Sequence, residues 1–202
     1  NQTIAFTIPR GDIGPAGNPT QWDLRGTGSP EGAVTAPVGS IYTDTAATNG
    51  AIRWIKQTGT GNTGWRVQWG DTGARQIVPS LLNGWTANAS FSFIRRVNDT
   101  VWLMLASLNW SAATSDTFLD VVTNLPGFQR WPGAVFRFPV GLQGMSGADS
   151  AAANQGRFMT SSNTNVLSLV RSQMPGFDTS PSITANIYVS WYVTAAWPTT
   201  LP

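Results

Sequence analysis

The chain has 202 residues, no Cys and no His, and its 12 basic and 10 acidic residues leave a net charge of +2. That length buries a real core without metals or disulfides, while the missing Cys and His exclude a disulfide scaffold, thiolate nucleophiles, Cys-based metal sites and Ser-His or Cys-His pairs. Charged residues are 11% of the chain, against about 25% in an ordinary soluble domain, so the expected surface is uncharged and polar.

Eleven of the 12 basic residues are arginines scattered along the chain. A phosphate-tracking surface needs a basic stripe, so nucleic acid is not an expected partner. Only Arg95 and Arg96 are adjacent, and on a strand they point to opposite faces. No run of about 20 apolar residues exists, so no membrane insertion is expected. The chain opens at Asn1 with neither Met nor a signal-like stretch, which suggests a start partway along a longer polypeptide.

Residues 1–37, rich in Gly, Pro, Thr and Ser, read as an extended leader. In "PRGDIGPAGNP" Gly11, Gly14 and Gly17 fall on every third position, the spacing of a collagen-like stalk. "GLQGMSG" repeats that period at Gly141, Gly144 and Gly147 without proline and reads as a glycine-rich loop, so the spacing is weak evidence by itself. A small β module is expected over 38–74, with strands in "GSIYT", "AIRWIK" and "WRVQW" separated by turn chemistry. In "AIRWIK" Ile52, Trp54 and Lys56 share one face and Ala51, Arg53 and Ile55 the other, so both faces are expected to be covered.

Residues 75–202 read as a β-sandwich head of jelly-roll type. "SFSFIRRV" and "TVWLMLA" flank Asn98-Asp99, a two-residue hairpin signal that sets Phe91, Phe93, Arg95 and Val97 against Val101, Leu103 and Leu105. "DTFLDVV" (116–122) is the best candidate for a helical turn. "AVFRFPV", "GRFMTSS" and "NVLSLVR" read as strands, the last two as a hairpin around Asn163. "SITANIYVSWYVTAAW" reads as a long final strand burying Ile183, Ala185, Ile187, Val189, Trp191 and Val193.

Ten tryptophans are many for this length. Trp85, Trp102 and Trp191 lie in or beside apolar runs and are expected to pack. Trp110 and Trp131 lie in the loop-like stretches "LNWSAAT" and "FQRWPG", where a ring either stacks on a sugar or pins its loop to a sheet. With Asp116 and Arg130, whose charged groups suit sugar hydroxyls, they are the candidate binding residues, on loops at the distal end of the head or between subunits.

Glycan cleavage requires two carboxyl groups across the scissile bond. The chain has nine Asp and only Glu31, and the pair Asp116 and Asp120 is more simply a helix cap and a solvated carboxylate. No calcium loop, P-loop or dinucleotide fingerprint appears. Neither catalysis nor a cofactor or metal is expected.

Residues 26–73 carry a resemblance in "SPEG", "APVGSIYTDT", "NGAIRWIK" and "GTGNTGWRV". This segment resembles one that recurs in minor tail proteins of bacteriophages infecting actinobacteria, often after collagen-like repeats, and the closing "WPTTLP" looks like the end of such proteins. The resemblance implies a virion tail fibre, outside the cell, whose leader ends a collagen-like stalk. Collagen geometry requires three chains, so it implies a homotrimer in contact with other tail proteins and with a host cell-wall glycan or surface receptor. A structural fibre without a receptor site, attached to the capsid or spacing the tail tip, and a glycan depolymerase are the alternatives.

Overall fold

The computed structural model describes residues 23–110, 118–123, 125–129, 137–143, 155–160, 166–170 and 183–202. Short apolar–polar alternations broken by Gly and Asn turns give twelve strands and two 3-10 turns among these residues. The all-β expectation therefore holds.

Four strands form one sheet in the order β1-β2-β3-β4: β1 (Asp23–Gly26), β2 (Ile41–Asp44), β3 (Ala51–Lys56) and β4 (Trp65–Gly70). The first pairing is parallel and the other two antiparallel. Packed structure thus begins inside the expected leader. β1 pairs with β2, Ala36 is buried in the core of this module, and the Glu31 carboxylate accepts the backbone N–H groups of Gly64 and Trp65. Gly11, Gly14 and Gly17 lie outside the described residues.

The other eight strands are β5 (Arg75–Gln76), β6 (Phe93–Val97), β7 (Thr100–Trp110), β8 (Phe118–Thr123), β9 (Arg137–Gln143), β10 (Gln155–Thr160), β11 (Val166–Val170) and β12 (Ile183–Tyr192). They pair antiparallel in the order β5-β6-β7-β12-β9-β10-β11-β8. The last strand of that order returns towards the first: Leu81 bridges Val122, and the Leu82 N–H donates to the Val121 carbonyl. Val121, Val122 and Leu167 accordingly share one core with Ile94, Val101, Leu103, Leu105, Ile187 and Val189.

The hairpin at Asn98-Asp99 forms as expected, with Asn98 at φ 49°. Val101, Leu103 and Leu105 share a buried face as expected, but on β6 the inner face is the opposite of the expected one. Ile94 and Arg96 pair with Leu103 and Val101 and turn inward, whereas Phe91 is 59% exposed and the Arg95 side chain 46%. An arginine is tolerated on the inner side because backbone carbonyls take its charge, as described below.

In β3 the simple alternation also fails. Irregularities in the β3–β4 pairing flank Arg53, so Ala51, Trp54 and Lys56 turn inward while Ile52 is 41% exposed. A bulge shifts the phase of a strand by one residue and lets positions three apart share a face.

From Phe118 onward "DTFLDVV" is no helical turn: Phe118–Thr123 is strand β8, paired with β11 through a bulge. The Asp120 carboxylate accepts a hydrogen bond from Ser168 Oγ at 2.7 Å across that pairing. Its β-rich residues satisfy their backbone groups better in a sheet than in one isolated turn. The start of "GLQGMSG", read as loop, is the end of β9. Trp85 and Trp191 are buried as expected, and Trp102 is half-buried. Ile187, Val189, Trp191 and Val193 are buried along the final run, but strand pairing stops at Tyr192 because the chain then leaves for the other sheet.

Candidate functional site

The last nine residues leave the eight-stranded sheet, in which they were expected, and cross to the four-stranded module. Trp197 is buried there among Tyr42, Trp54 and Trp65. Its indole N–H donates to the Asn49 carbonyl at 3.0 Å, and the Asn49 side-chain amide donates to the Pro198 carbonyl at 3.0 Å. Two glycines make room for this docking. A Cβ on Gly70 would stand 2.8 Å from the Trp197 ring, and one on Gly127, at φ +81°, would stand 2.6 Å from the Pro198 backbone.

Arg96 binds the same junction from β6. Its guanidinium donates to the carbonyls of Asn98, Gly127, Ala195 and Ala196 and lies 4.8 Å from the centre of the Trp197 ring. Asp99 stands 3.8 Å away. Burial pushes the Arg96 pKa down to about 10, against the upward pull of Asp99, and neighbouring Arg66 pushes it down further. The hairpin tip is tied to the module as well, because Asn98 exchanges two hydrogen bonds of 2.9 Å with Gly70.

Between β4, the β6–β7 hairpin and the tail lies a cavity of about 400 Å³, walled by Trp54, Trp65, Trp197, Arg66, Glu31 and Asp99 among others. A smaller one of about 150 Å³ shares Ser29, Trp54, Trp197 and Thr199 with it. The larger volume lies within the range of small-ligand sites. The Glu31 carboxylate accepts the N–H groups of Gly64 and Trp65, and Asp99, its side chain 55% exposed, stands 3.8 Å from the Arg96 guanidinium. The rings of Trp54, Trp65 and Trp197 offer the cavity little surface, being only 5%, 5% and 7% exposed.

A second buried cation sits in the module. Lys56 has no exposed surface; its ammonium donates to the carbonyls of Gly61, at 2.6 Å, and Thr63, and stands 5.5 Å from the centre of the Trp65 ring. Asp44, also buried, accepts the N–H groups of Gly28, Ala46 and Thr48. Burial pushes its carboxyl pKa up, but these bonds outweigh it and hold the value below the ordinary one. Among the described residues no cluster of acidic side chains could hold a metal ion.

Of the four residues expected to bind, Trp110 closes strand β7 opposite Ile183 and so belongs to a strand, not a loop. Asp116, Arg130 and Trp131 lie outside the described residues. The residues around the cavity were missed for this purpose. The sequence places Glu31 in a leader, Arg96 in the hairpin and Trp197 at the end of the final strand and the start of "WPTTLP", and nothing local brings the three together. Comparison with protein-family models, curated proteins and solved structures finds no match to this chain.

Proposed function

We propose that the chain is a minor tail protein or tail fibre of a bacteriophage virion, a non-catalytic module that recognises a host cell-surface glycan outside the cell. The resemblance carried by residues 26–73 supports this, and those residues coincide with nearly all of the four-stranded module. The eight strands, antiparallel throughout and returning on themselves, suit a jelly-roll-like head. Three such heads on a collagen-like stalk ending at Gly11, Gly14 and Gly17 would multiply weak contacts by avidity.

Two measurements test the reading. Native mass or light scattering on the intact chain should give three copies, and a clean monomer at micromolar concentration would overturn the trimer. The chain should also sediment with purified actinobacterial cell wall without releasing reducing ends, and Trp110→Ala or Trp131→Ala should weaken that adsorption. Release of reducing ends would replace recognition with depolymerisation. The burial of Trp54, Trp65 and Trp197 favours a second reading, a structural spacer, because those rings act as core; failure to adsorb to any wall preparation would select it.

A further inference from the structure

Two of the arginines that look scattered in the sequence, Arg25 and Arg53, are brought into one row on the four-stranded sheet. Its inner face is Leu24, Tyr42, Trp54, Trp65 and Val67, so the alternate positions face outward. The pairing of β1 with β2, β2 with β3 and β3 with β4 then lines up Arg25, Thr43, Arg53 and Trp69 in one outward row. Arg66 stands one row away on edge strand β4, opposite Ile55. Arg25, Arg53 and Arg66 are exposed, and Trp69 is 57% exposed. The two ion pairs among the described residues, Arg95 with Asp71 and Arg96 with Asp99, involve none of them. Arg66 also borders the cavity beside Arg96, so the outward face itself is carried by two guanidinium groups, Arg25 and Arg53, with Asp23 the one carboxylate in the two rows.

We propose that this face binds an anionic saccharide, a glycan bearing carboxylate or phosphate groups. The proposal rests on the reading of the chain as a surface-recognition protein and adds the charge class of the ligand and a place for it. Strands in a sheet lie about 4.8 Å apart, so the row from Arg25 to Trp69 spans about 14 Å, the reach of a few sugar units. Guanidinium forks match carboxylate and phosphate oxygens in pairs. An exposed indole beside them offers a flat apolar surface to a sugar ring. A nucleic acid would need a longer basic track than two groups.

The test is affinity electrophoresis of the full chain in gels containing polygalacturonate, phosphomannan, neutral dextran or a DNA duplex. Retardation by polygalacturonate or phosphomannan and not by dextran is expected, and the stronger of the two identifies the anion. The double variant Arg25→Gln/Arg53→Gln should lose at least tenfold in affinity, and Trp69→Ala about fivefold, with melting temperatures unchanged because all three positions are exposed. Arg53→Lys keeps the charge but not the fork and should fall between. Equal retardation by DNA with no effect of Trp69→Ala would overturn the proposal in favour of unspecific polyanion binding. Retardation by dextran alone, or by nothing, would overturn it too. Wild-type adsorption to host wall that is indifferent to the double variant would overturn this assignment alone and leave the broader reading standing.

Discussion

The core of the four-stranded module is built on rings, Tyr42, Trp54, Trp65 and Trp197 with Ala36 and Ala51 between them, whereas the eight-stranded sheet closes mainly over Val, Leu and Ile. The strands of the module have only four to six residues, so few positions point inward and each must remove much surface from water. An aromatic ring does so, burying about 150–250 Å². Even then the module is completed by Trp197 from the far end of the chain. The larger sheet offers many inward positions and fills them with small branched side chains. Burial per position, not chain length, separates the two regions.

Removing a ring should therefore break the module most. Trp54→Ala should cost about 3–5 kcal/mol, as should Trp197→Ala, measured by urea denaturation. Amide exchange should localise the damage to residues 23–74, with the core around Leu103 and Val189 still protected. Equal loss of protection in both regions would mean that they unfold as one unit and would end the comparison.

The buried cations come next. Arg96→Met leaves the carbonyls of Gly127, Ala195 and Ala196 without their donor at the junction, and about 2–3 kcal/mol should be lost. The tail should exchange its amides faster than the module sheet does. Lys56→Met keeps the aliphatic stem against Trp65 but abandons the carbonyls of Gly61 and Thr63, for a loss of about 1–2 kcal/mol. If Lys56→Met proved neutral, the desolvation of the ammonium would equal what its hydrogen bonds return.

Acid should act on the module through Asp44. Its folded pKa is lower than the value of 3.8 expected unfolded, so its stabilisation is complete above that value and is lost as pH falls through the folded pKa. The amides of Gly28, Ala46 and Thr48 should lose protection in that range, and Asp44→Asn should remove that local response while leaving the contribution of Asp71, whose carboxyl pKa is also lowered by Arg95. The smallest effect is expected at Tyr188, 67% exposed on the outer face of β12. Tyr188→Thr should shift stability by less than about 0.5 kcal/mol, and a larger loss would show that this face is covered in the assembled protein.

Much of the fold was legible because it is written locally. "AIRWIK" and "WRVQW" mark β3 and β4, Asn98-Asp99 marks a hairpin since Asn tolerates positive φ, and alternation from Ile187 to Val193 marks a buried face. The site was hardly legible. Trp110, Asp116, Arg130 and Trp131 were chosen by residue type and loop context, and neither carries information about which strand lies alongside. Bulges in the β3–β4 pairing, the inward turn of Arg96 and the return of Trp197 to a sheet begun at Asp23 depend on partners distant in the chain. So does the row of Arg25, Arg53 and Trp69, set by strand pairing. Alternation fixes that a strand has two faces, because successive side chains point opposite ways; which face is buried, and which distant charges become neighbours, is decided only when the sheets assemble and each buried polar group must find its partner.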